Sequence, residues 1–174
     1  MPHVRWLSII SPRATARDGP DTMIKYESVD EFAARKGEVL GTSEWVTVAQ
    51  ERINMFADAT GDHQWVHVDP EKAAAGPFGT TIAHGLMTLS MVQNLSQQMW
   101  QVEGVKMILN YGLNKVRFPA PVPAGARVRA QMVLVGVERV ASGGAWQATV
   151  SVVVEIEGGT KPAVVSEIVL RMVG

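Results

Sequence analysis

A carboxylate, an imidazole and a His-Gly pair lie close together in one short stretch of this chain. Asp62 and His67 are five residues apart in the segment GDHQWVHVDP at 61–70, and His84 and Gly85 follow shortly after it. If the segment is a loop, a turn can bring the Asp62 and His67 side chains onto one water molecule. A regular helix or strand would not align them so readily. A base can activate a water held in this way, and its proton can return to a neighbouring atom. The spacing therefore predicts acid–base chemistry on water.

The backbone amide of Gly85 is the candidate for stabilising a developing negative charge. Residues 81–100 have the length and composition of a helix, which places Gly85 in the first turn. Backbone N–H groups are unpaired there and the helix dipole is positive. Glycine allows an oxygen to approach the backbone closely. We therefore expect an oxyanion site at Gly85, where losing one donor typically costs about 3 to 4 kcal/mol in the transition state.

Each of these residues also has a structural explanation. Asp62 could terminate the turn that follows Gly61, because Asp is common in such loops. His67 could be a hydrogen-bonded histidine of the core. His84 either orders the start of the helix by hydrogen bonding or contacts substrate, and we favour the ordering role.

No metal site is expected from the polar residues that surround the pair. His63 is predicted to face solvent and Asp69 to cap a helix. Together with His67 they offer suitable ligand types, but nothing in their pattern requires an ion.

Residues typical of turns and helix caps predict where the helices and strands around residues 61–70 begin and end. Apolar residues at helical spacing predict a helix over 29–36, and a strand is predicted over 41–48. Thr47 with Gln50 matches a capping box that would start a second helix, and Gly61 suits its end.

The following segment is bounded by a helix start. Asp69 and Pro70 are typical of a helix cap and first helical position, so residues 62–68 are predicted to be a loop. The helix at 81–100 is apolar around most of its circumference, which predicts burial on nearly all sides.

From Met107 onward, apolar and polar residues alternate with the period of half-buried antiparallel strands. Turns are predicted at 142–144 and 157–159, and a last strand at 163–173. One buried helix followed by long antiparallel strands predicts an α+β hot-dog fold, in which the sheet wraps around the helix. Such a sheet leaves edges and an open face, so we expect a homodimer.

Composition limits the classes of function. The 174 residues, of which 47% are apolar, suffice for one domain with a sizeable core, which we place at 23–174. A net charge of -1 provides no basic surface, so neither nucleic acid nor membrane is an expected partner. The chain has no cysteine, which excludes thiolate catalysis and fits a cytoplasmic location. No transmembrane segment is expected.

Residues 1–22 differ from the rest because arginines are spaced among Ser, Thr and Pro without apolar periodicity. We predict a disordered extension, or a start site placed too early. A targeting signal is the less favoured explanation, since Asp18 and Asp21 are unusual in transit peptides.

The motif resembles that of the MaoC-like (R)-specific enoyl-CoA hydratases. The resemblance runs from about residue 42 to the C-terminus and includes the segment 114–125 (NKVRFPAPVPAG). It implies that Asp62 and His67 add water reversibly to a trans-2-enoyl-CoA, giving an (R)-3-hydroxyacyl-CoA. It implies no metal or redox cofactor, since coenzyme A belongs to the substrate.

The resemblance also suggests residues that bind substrate. Related hydratases place a serine on the central helix near the active site, for which Ser90 and Gln93 are candidates. Lys115 or Arg117 could lie near the phosphates of coenzyme A. Many relatives have Asn-Pro where this chain has Gln64 and Trp65, so Trp65 either restores rigidity to the loop or alters the acyl pocket.

Two other functions remain open. A hot-dog thioesterase could aim a carboxylate at the thioester carbonyl and release free thiol. A non-catalytic hot-dog subunit could shape the tunnel of a catalytic partner, although such a subunit has no need for the Asp-His pair.

Overall fold

The computed structural model describes residues 23–97, 99–141 and 144–174. In chain order the elements are β1 (Ile24–Tyr26), α1 (Val29–Ala34), β2 (Val39–Thr42), β3 (Val46–Thr47), α2 (Gln50–Thr60), α3 (Trp65–Val68), α4 (Pro70–Ala74), α5 (Gly85–Ser96), β4 (Trp100–Val102), β5 (Met107–Arg117), β6 (Arg127–Arg139), β7 (Trp146–Ile156) and β8 (Val164–Val173). No helix in these ranges is long and apolar enough to cross a bilayer. The predicted extension at 1–22 and the turn residues Ser142 and Gly143 lie outside the described residues.

A six-stranded antiparallel sheet forms the body of the fold. The strand order is β2-β6-β7-β8-β5, and β3 also pairs with β6. The long strands predicted beyond Met107 are confirmed, including the turn before the last one, where Gly158 has a φ of 70°. β1 and β4 form a separate parallel pair. Because β5 is the last strand in this order, its outer edge is unpaired within the described part of the chain.

The inner face of the sheet packs on one side of α5. From Val128 to Leu134 every second residue of β6 is buried, as the period of two predicts. The buried side chains of α5 are those of Met87, Thr88, Met91, Val92 and Leu95. The four apolar ones belong to one cluster with the inward residues of β6, β7 and β8. An antiparallel sheet curled around a central helix is the predicted α+β hot-dog fold, which is confirmed.

Helix α5 is shorter and more open than predicted. It begins at Gly85, not at residue 81, because the preceding residues are extended. There the Ala83 N–H donates to the Val122 carbonyl over 2.8 Å, and Ile82 forms a bridge with Pro123. The prediction of burial on nearly all sides is wrong for the single chain, since Leu86 is 64% exposed. One stripe of α5 faces the sheet and the other faces open space.

The capping box predicted for α2 is also wrong. The helix is preceded by Ala49, which has no side-chain cap, and the Gln50 side chain turns toward other partners. The predicted strand at 41–48 divides into β2 and β3. Gly41 has a φ of 151°, and an added Cβ would lie 2.9 Å from the Met99 Cβ. This close backbone approach interrupts the regular ladder, where the register shifts between Val39 and Gly41.

The signals on either side of the motif are confirmed. Gly61 ends α2 in the left-handed region with a φ of 75°, as a glycine does at low cost. Asp69 caps α4, since its Oδ1 accepts from the Lys72 N–H over 3.0 Å, and Pro70 takes the first position. The segment between them is not entirely loop, because residues 65–68 form the single helical turn α3.

Candidate active site

The turn α3 places the predicted acid–base pair side by side. Asp62 follows the sharp exit from α2 at Gly61, and α3 then turns His67 back toward it. One ligand-type atom each of Asp62, His67 and His84 lies within 4.8 Å of the others. The Asp62 side chain is 48% exposed and His67 is half-buried, so a water molecule can reach both. The structure thus brings together the two residues that the spacing singled out.

The tautomer of His67 follows from its backbone partner. Nδ1 lies 2.7 Å from the Ile82 carbonyl oxygen. A carbonyl oxygen only accepts hydrogen bonds, so Nδ1 carries the proton and donates it. In the neutral ring the lone pair is then on Nε2, which is the atom a general base needs. The extended strand before α5 therefore orients the imidazole of His67.

His84 lies behind the pair and contacts both of its members. It is 4% exposed, and its Nε2–H donates to the Asp62 backbone carbonyl over 2.9 Å. The same nitrogen is 3.9 Å from Oδ2 of the Asp62 carboxylate. Its ring stacks on the His67 ring with centroids 3.7 Å apart and planes 26° apart, and Phe56 packs against it at 5.0 Å. With Nε2 engaged and Nδ1 buried, this geometry favours the ordering role over contact with substrate.

Gln50 is a residue of the site that the sequence analysis missed. Its Nε2 donates to the His67 backbone carbonyl over 2.8 Å, and its Oε1 accepts a hydrogen bond from the Thr81 hydroxyl. Gln50 thereby joins α2, α3 and the strand that leads into α5. The sequence placed Gln50 in a capping box, and no local signal indicates a partner 17 residues away.

The N-terminus of α5 has free amides beside the pair. Its cap residue His84 makes no side-chain cap bond, whereas Ser28 caps α1 and Asp69 caps α4. The Gly85 N–H has no hydrogen-bond acceptor in the described ranges. The first turn of a helix with unpaired amides attracts negative charge.

Gly85 has a packing role that the sequence did not reveal. A Cβ added there would lie 3.0 Å from two atoms of the Phe118 ring. The ring of Phe118 therefore rests on the Gly85 backbone, and a larger residue would displace it.

The remaining predicted site residues lie further from the pair. Ser90 and Gln93 lie on the open stripe of α5, and the Ser90 hydroxyl donates to the Met87 carbonyl over 2.8 Å. Arg117 ends β5 at the surface, where its Nη1 donates to the Val116 carbonyl over 2.7 Å. The buried polar residue of α5 is Thr88, whose hydroxyl donates to the His84 carbonyl over 3.3 Å.

Trp65 packs against α4 and the turn that follows it. An added Cβ at Gly76 would lie 3.0 Å from the Trp65 ring, and the Lys72 ammonium lies 5.2 Å from the ring centroid. The indole thus ties α3 to α4. Of the two roles open for Trp65, this contact favours rigidity of the loop.

His63 points to solvent, as predicted, and its side chain pairs there with that of Asp58. Its Nε2 is 2.9 Å from the Asp58 carboxylate. That hydrogen bond raises the pKa of His63 above its ordinary value of 6.5. Its ring does not join the cluster of Asp62, His67 and His84.

The same cluster is the only group of potential metal ligands in the described part of the chain. The nitrogens left free are Nε2 of His67 and Nδ1 of His84, because the others donate to carbonyls. His63, His67 and Asp69, weighed together from the sequence, are not assembled, since Asp69 caps α4.

The fold and the site define a class of protein. Residues 31–156 match the model of the MaoC like domain, and the chain belongs to this family. An acid–base pair beside free helix amides in a hot-dog fold agrees with that membership. The protein is therefore placed among lyases of the hydratase and dehydratase class.

The chain is similar to individual known proteins both in sequence and in structure. Over 151 residues the chain is 63% identical to 3-hydroxyacyl-thioester dehydratase Z of Mycobacterium tuberculosis, and the alignment covers 87% of this chain and 99% of that protein. The solved structure of an (R)-hydratase from A. caviae involved in PHA biosynthesis has a TM-score of 0.61 at 24% identity, covering 78% of this chain and 94% of that one. A monoamine oxidase regulatory protein from Archaeoglobus fulgius has a TM-score of 0.70 at 21% identity, covering 87% and 97%. The two structural likenesses concern the fold.

Proposed function

We propose that this protein catalyses the reversible syn hydration of a trans-2-enoyl-CoA to an (R)-3-hydroxyacyl-CoA, without a metal or redox cofactor. One observation carries the proposal: the Asp62 carboxylate and the His67 imidazole lie within 4.8 Å of each other beside the uncapped start of α5. The name of the mycobacterial relative describes the reverse direction of this chemistry, on a 3-hydroxyacyl thioester.

The proposed roles follow from the hydrogen bonds. Asp62 orients the water, and Nε2 of His67 takes its proton as the oxygen bonds to C3. The electrons of the double bond move toward the thioester oxygen, where the Gly85 N–H stabilises the enolate. The proton then passes from Nε2 to C2 on the same face, which regenerates neutral His67. Only water is consumed.

A groove beside α5 is proposed to hold the acyl chain. Cavities of about 180 Å³ and 290 Å³ share Val92, Gln93 and Ile168 in their walls, and we propose that together they form one channel between α5 and strands β5 and β8. Ser90 lines one cavity and Gln93 both. The 12 residues of α5 span about 18 Å. Carbon–carbon bonds of about 1.5 Å at tetrahedral angles advance an extended chain by about 1.25 Å each, so a chain of roughly 14 carbons has that length.

Arg117 is proposed to contact the phosphates of coenzyme A. It is exposed at the end of β5, directly before Phe118, which covers Gly85. A guanidinium at this place is close to the start of α5 and matches the geometry of phosphate oxygens.

We also propose that the protein is a homodimer paired through β5. Nearly every residue of this 11-residue edge strand is exposed in the single chain. Its exposed large apolar side chains are those of Met107, Ile108, Leu109, Tyr111 and Leu113. A long, apolar, unpaired edge is a template for pairing with a second strand. A second copy placed there would also extend over the open stripe of α5 that starts at Leu86.

The function is tested by following loss of the enoyl-thioester absorbance while a thiol reagent monitors free coenzyme A. We expect wild-type protein to remove the absorbance without releasing thiol. Asp62→Asn should lower the rate by a factor of about 10² to 10⁴, and His63→Gln, a neighbouring exposed variant, should not. Thiol release would identify a thioesterase instead. No reaction with any chain length would direct attention to a catalytic partner subunit.

The groove is tested in the same assay with substrates of 4 to about 14 carbons. Ser96 lies on the wall of the cavity at the far end of α5. Ser96→Phe should raise KM for the long substrates and leave the four-carbon substrate unchanged. Equal effects on all lengths would contradict the assignment of the groove.

A further inference from the structure

We propose that His84 is a positioning residue that holds both members of the catalytic pair, a role that rests on the proposed function of Asp62 and His67. His84 itself touches neither the water nor the substrate in this proposal. It acts through one hydrogen bond to the backbone of Asp62 and through one ring contact with His67.

The hydrogen bond holds the start of the loop. The Nε2–H of His84 donates to the Asp62 carbonyl over 2.9 Å, across 22 residues of chain. Asp62 follows the end of α2, its side chain is half-exposed, and its carboxylate accepts one long hydrogen bond, from the Gln64 N–H over 3.5 Å, so few other contacts restrain it. The 4% exposure of His84 keeps water from competing for the same carbonyl. This bond therefore holds the backbone from which the Asp62 carboxylate projects.

The ring contact holds the plane of the general base. The His67 ring is bound at one nitrogen by the Ile82 carbonyl, which leaves it free to rock about that bond. The His84 ring lies against its face with centroids 3.7 Å apart, and Phe56 supports His84 at 5.0 Å. Rocking of His67 toward His84 is thus blocked. The Nε2 lone pair stays aimed at the space in front of Asp62.

The two functions of His84 can be separated by substitution. His84→Gln keeps an N–H donor at about the position of Nε2 but loses the ring. His84→Phe keeps the ring but loses the donor, and His84→Ala loses both. We expect kcat to fall about 100-fold in the alanine variant, since a displacement of about 1 Å at the reacting groups has an effect of that size. The glutamine and phenylalanine variants should fall between alanine and wild type.

KM and a double variant distinguish positioning from direct contact. KM should change less than about twofold, because the acyl groove is untouched. Adding His84→Ala to Asp62→Asn should lower the residual rate less than about tenfold further, since one of the two residues that His84 positions is already inactive and only the placement of His67 is left to lose. Multiplying effects, or a raised KM at unchanged kcat, would overturn the proposal. His63→Gln is the matched control and should match wild type.

A spectroscopic measurement on wild type keeps the proposal testable if a variant does not fold. Imidazole ¹⁵N chemical shifts should report the Nε2–H tautomer for His84 and the Nδ1–H tautomer for His67. Observation of the Nδ1–H tautomer at His84 would remove the hydrogen bond to Asp62 and with it the proposal. This measurement needs no turnover, so it remains decisive even if the wild-type protein hydrates no enoyl thioester.

Discussion

The rings of His67 and His84 lie face to face, with centroids 3.7 Å apart and planes 26° apart. Each ring donates one N–H to a backbone carbonyl, His67 to Ile82 and His84 to Asp62. These two bonds cross between the loop after α2 and the strand before α5. Each of the two histidines is therefore held by the backbone of the other's segment, and a change in either segment should move both rings.

Substituting Gly85 should displace Phe118 and weaken the fold. An added Cβ would lie 3.0 Å from the ring, closer than ordinary van der Waals contact. We expect Gly85→Ala to lower the free energy of unfolding by about 1 to 3 kcal/mol in chemical denaturation. Hydration activity should fall as well, because the amide of residue 85 shifts with the helix start.

Gly136→Ala is the control for this prediction, since an added Cβ there has no heavy atom within 4 Å. Its stability should stay within about 0.5 kcal/mol of wild type. Combining Gly85→Ala with Phe118→Leu should recover part of the loss by making room for the methyl group. If the double variant loses the sum of both single effects, the contact with Phe118 is not the cause.

Removing the Gln50 amide should impair His67. Gln50→Ala leaves the His67 carbonyl and the Thr81 hydroxyl without this partner. We expect a loss of about 1 to 3 kcal/mol in unfolding free energy and a lower kcat. Asn54→Ala serves for comparison, because Asn54 contacts the same amide on the exposed side. Asn54→Ala should lower the unfolding free energy by less than about 1 kcal/mol. If the two variants have equal effects, the hydrogen bond from Gln50 to His67 does not contribute to stability or activity.

Titration of the exposed pair of His63 and Asp58 should have no effect on the hydration rate. The Asp58 hydrogen bond raises the pKa of His63 in the folded protein above 6.5. Since the folded-state pKa is above the unfolded one, the contact stabilises the fold below about pH 6.5, and this contribution is lost as pH rises through the folded-state pKa. Asp58→Asn should lower the pKa of His63 in an NMR titration and leave kcat unchanged. An unaltered titration would mean that the pair does not form in solution.

A charge on β5 should prevent association. Leu109 is 46% exposed on the edge strand. Leu109→Lys should weaken the homodimer at least tenfold in sedimentation equilibrium, because a buried lysine without a partner disfavours the interface. Val135, 38% exposed on the interior strand β6, provides the matched variant Val135→Lys. That protein should remain dimeric. A monomeric wild type, or equal effects of both lysines, would exclude β5 as the interface.

Local features were predictable from the sequence because their partners lie within a few residues. Asp69 caps α4 through an amide three residues away, and Gly61 ends α2 through its own backbone freedom. The period of two in β6 follows from the geometry of a single strand with one face buried. These signals sufficed to predict the hot-dog arrangement and to place Asp62 and His67 in one short segment.

The tertiary structure determines the contacts that span long stretches of chain. The bonds from His84 to Asp62, from Gln50 to His67 and from His67 to Ile82 cross 22, 17 and 15 residues. Each exists because packing of α2, α3 and the strand before α5 brings a donor within reach of a particular carbonyl. No local sequence pattern predicts a contact between residues that are so far apart in the chain. The sequence by itself determined which residues could act on water, and the packing determined their tautomers, their neighbours and the open stripe of α5 from Leu86 onward.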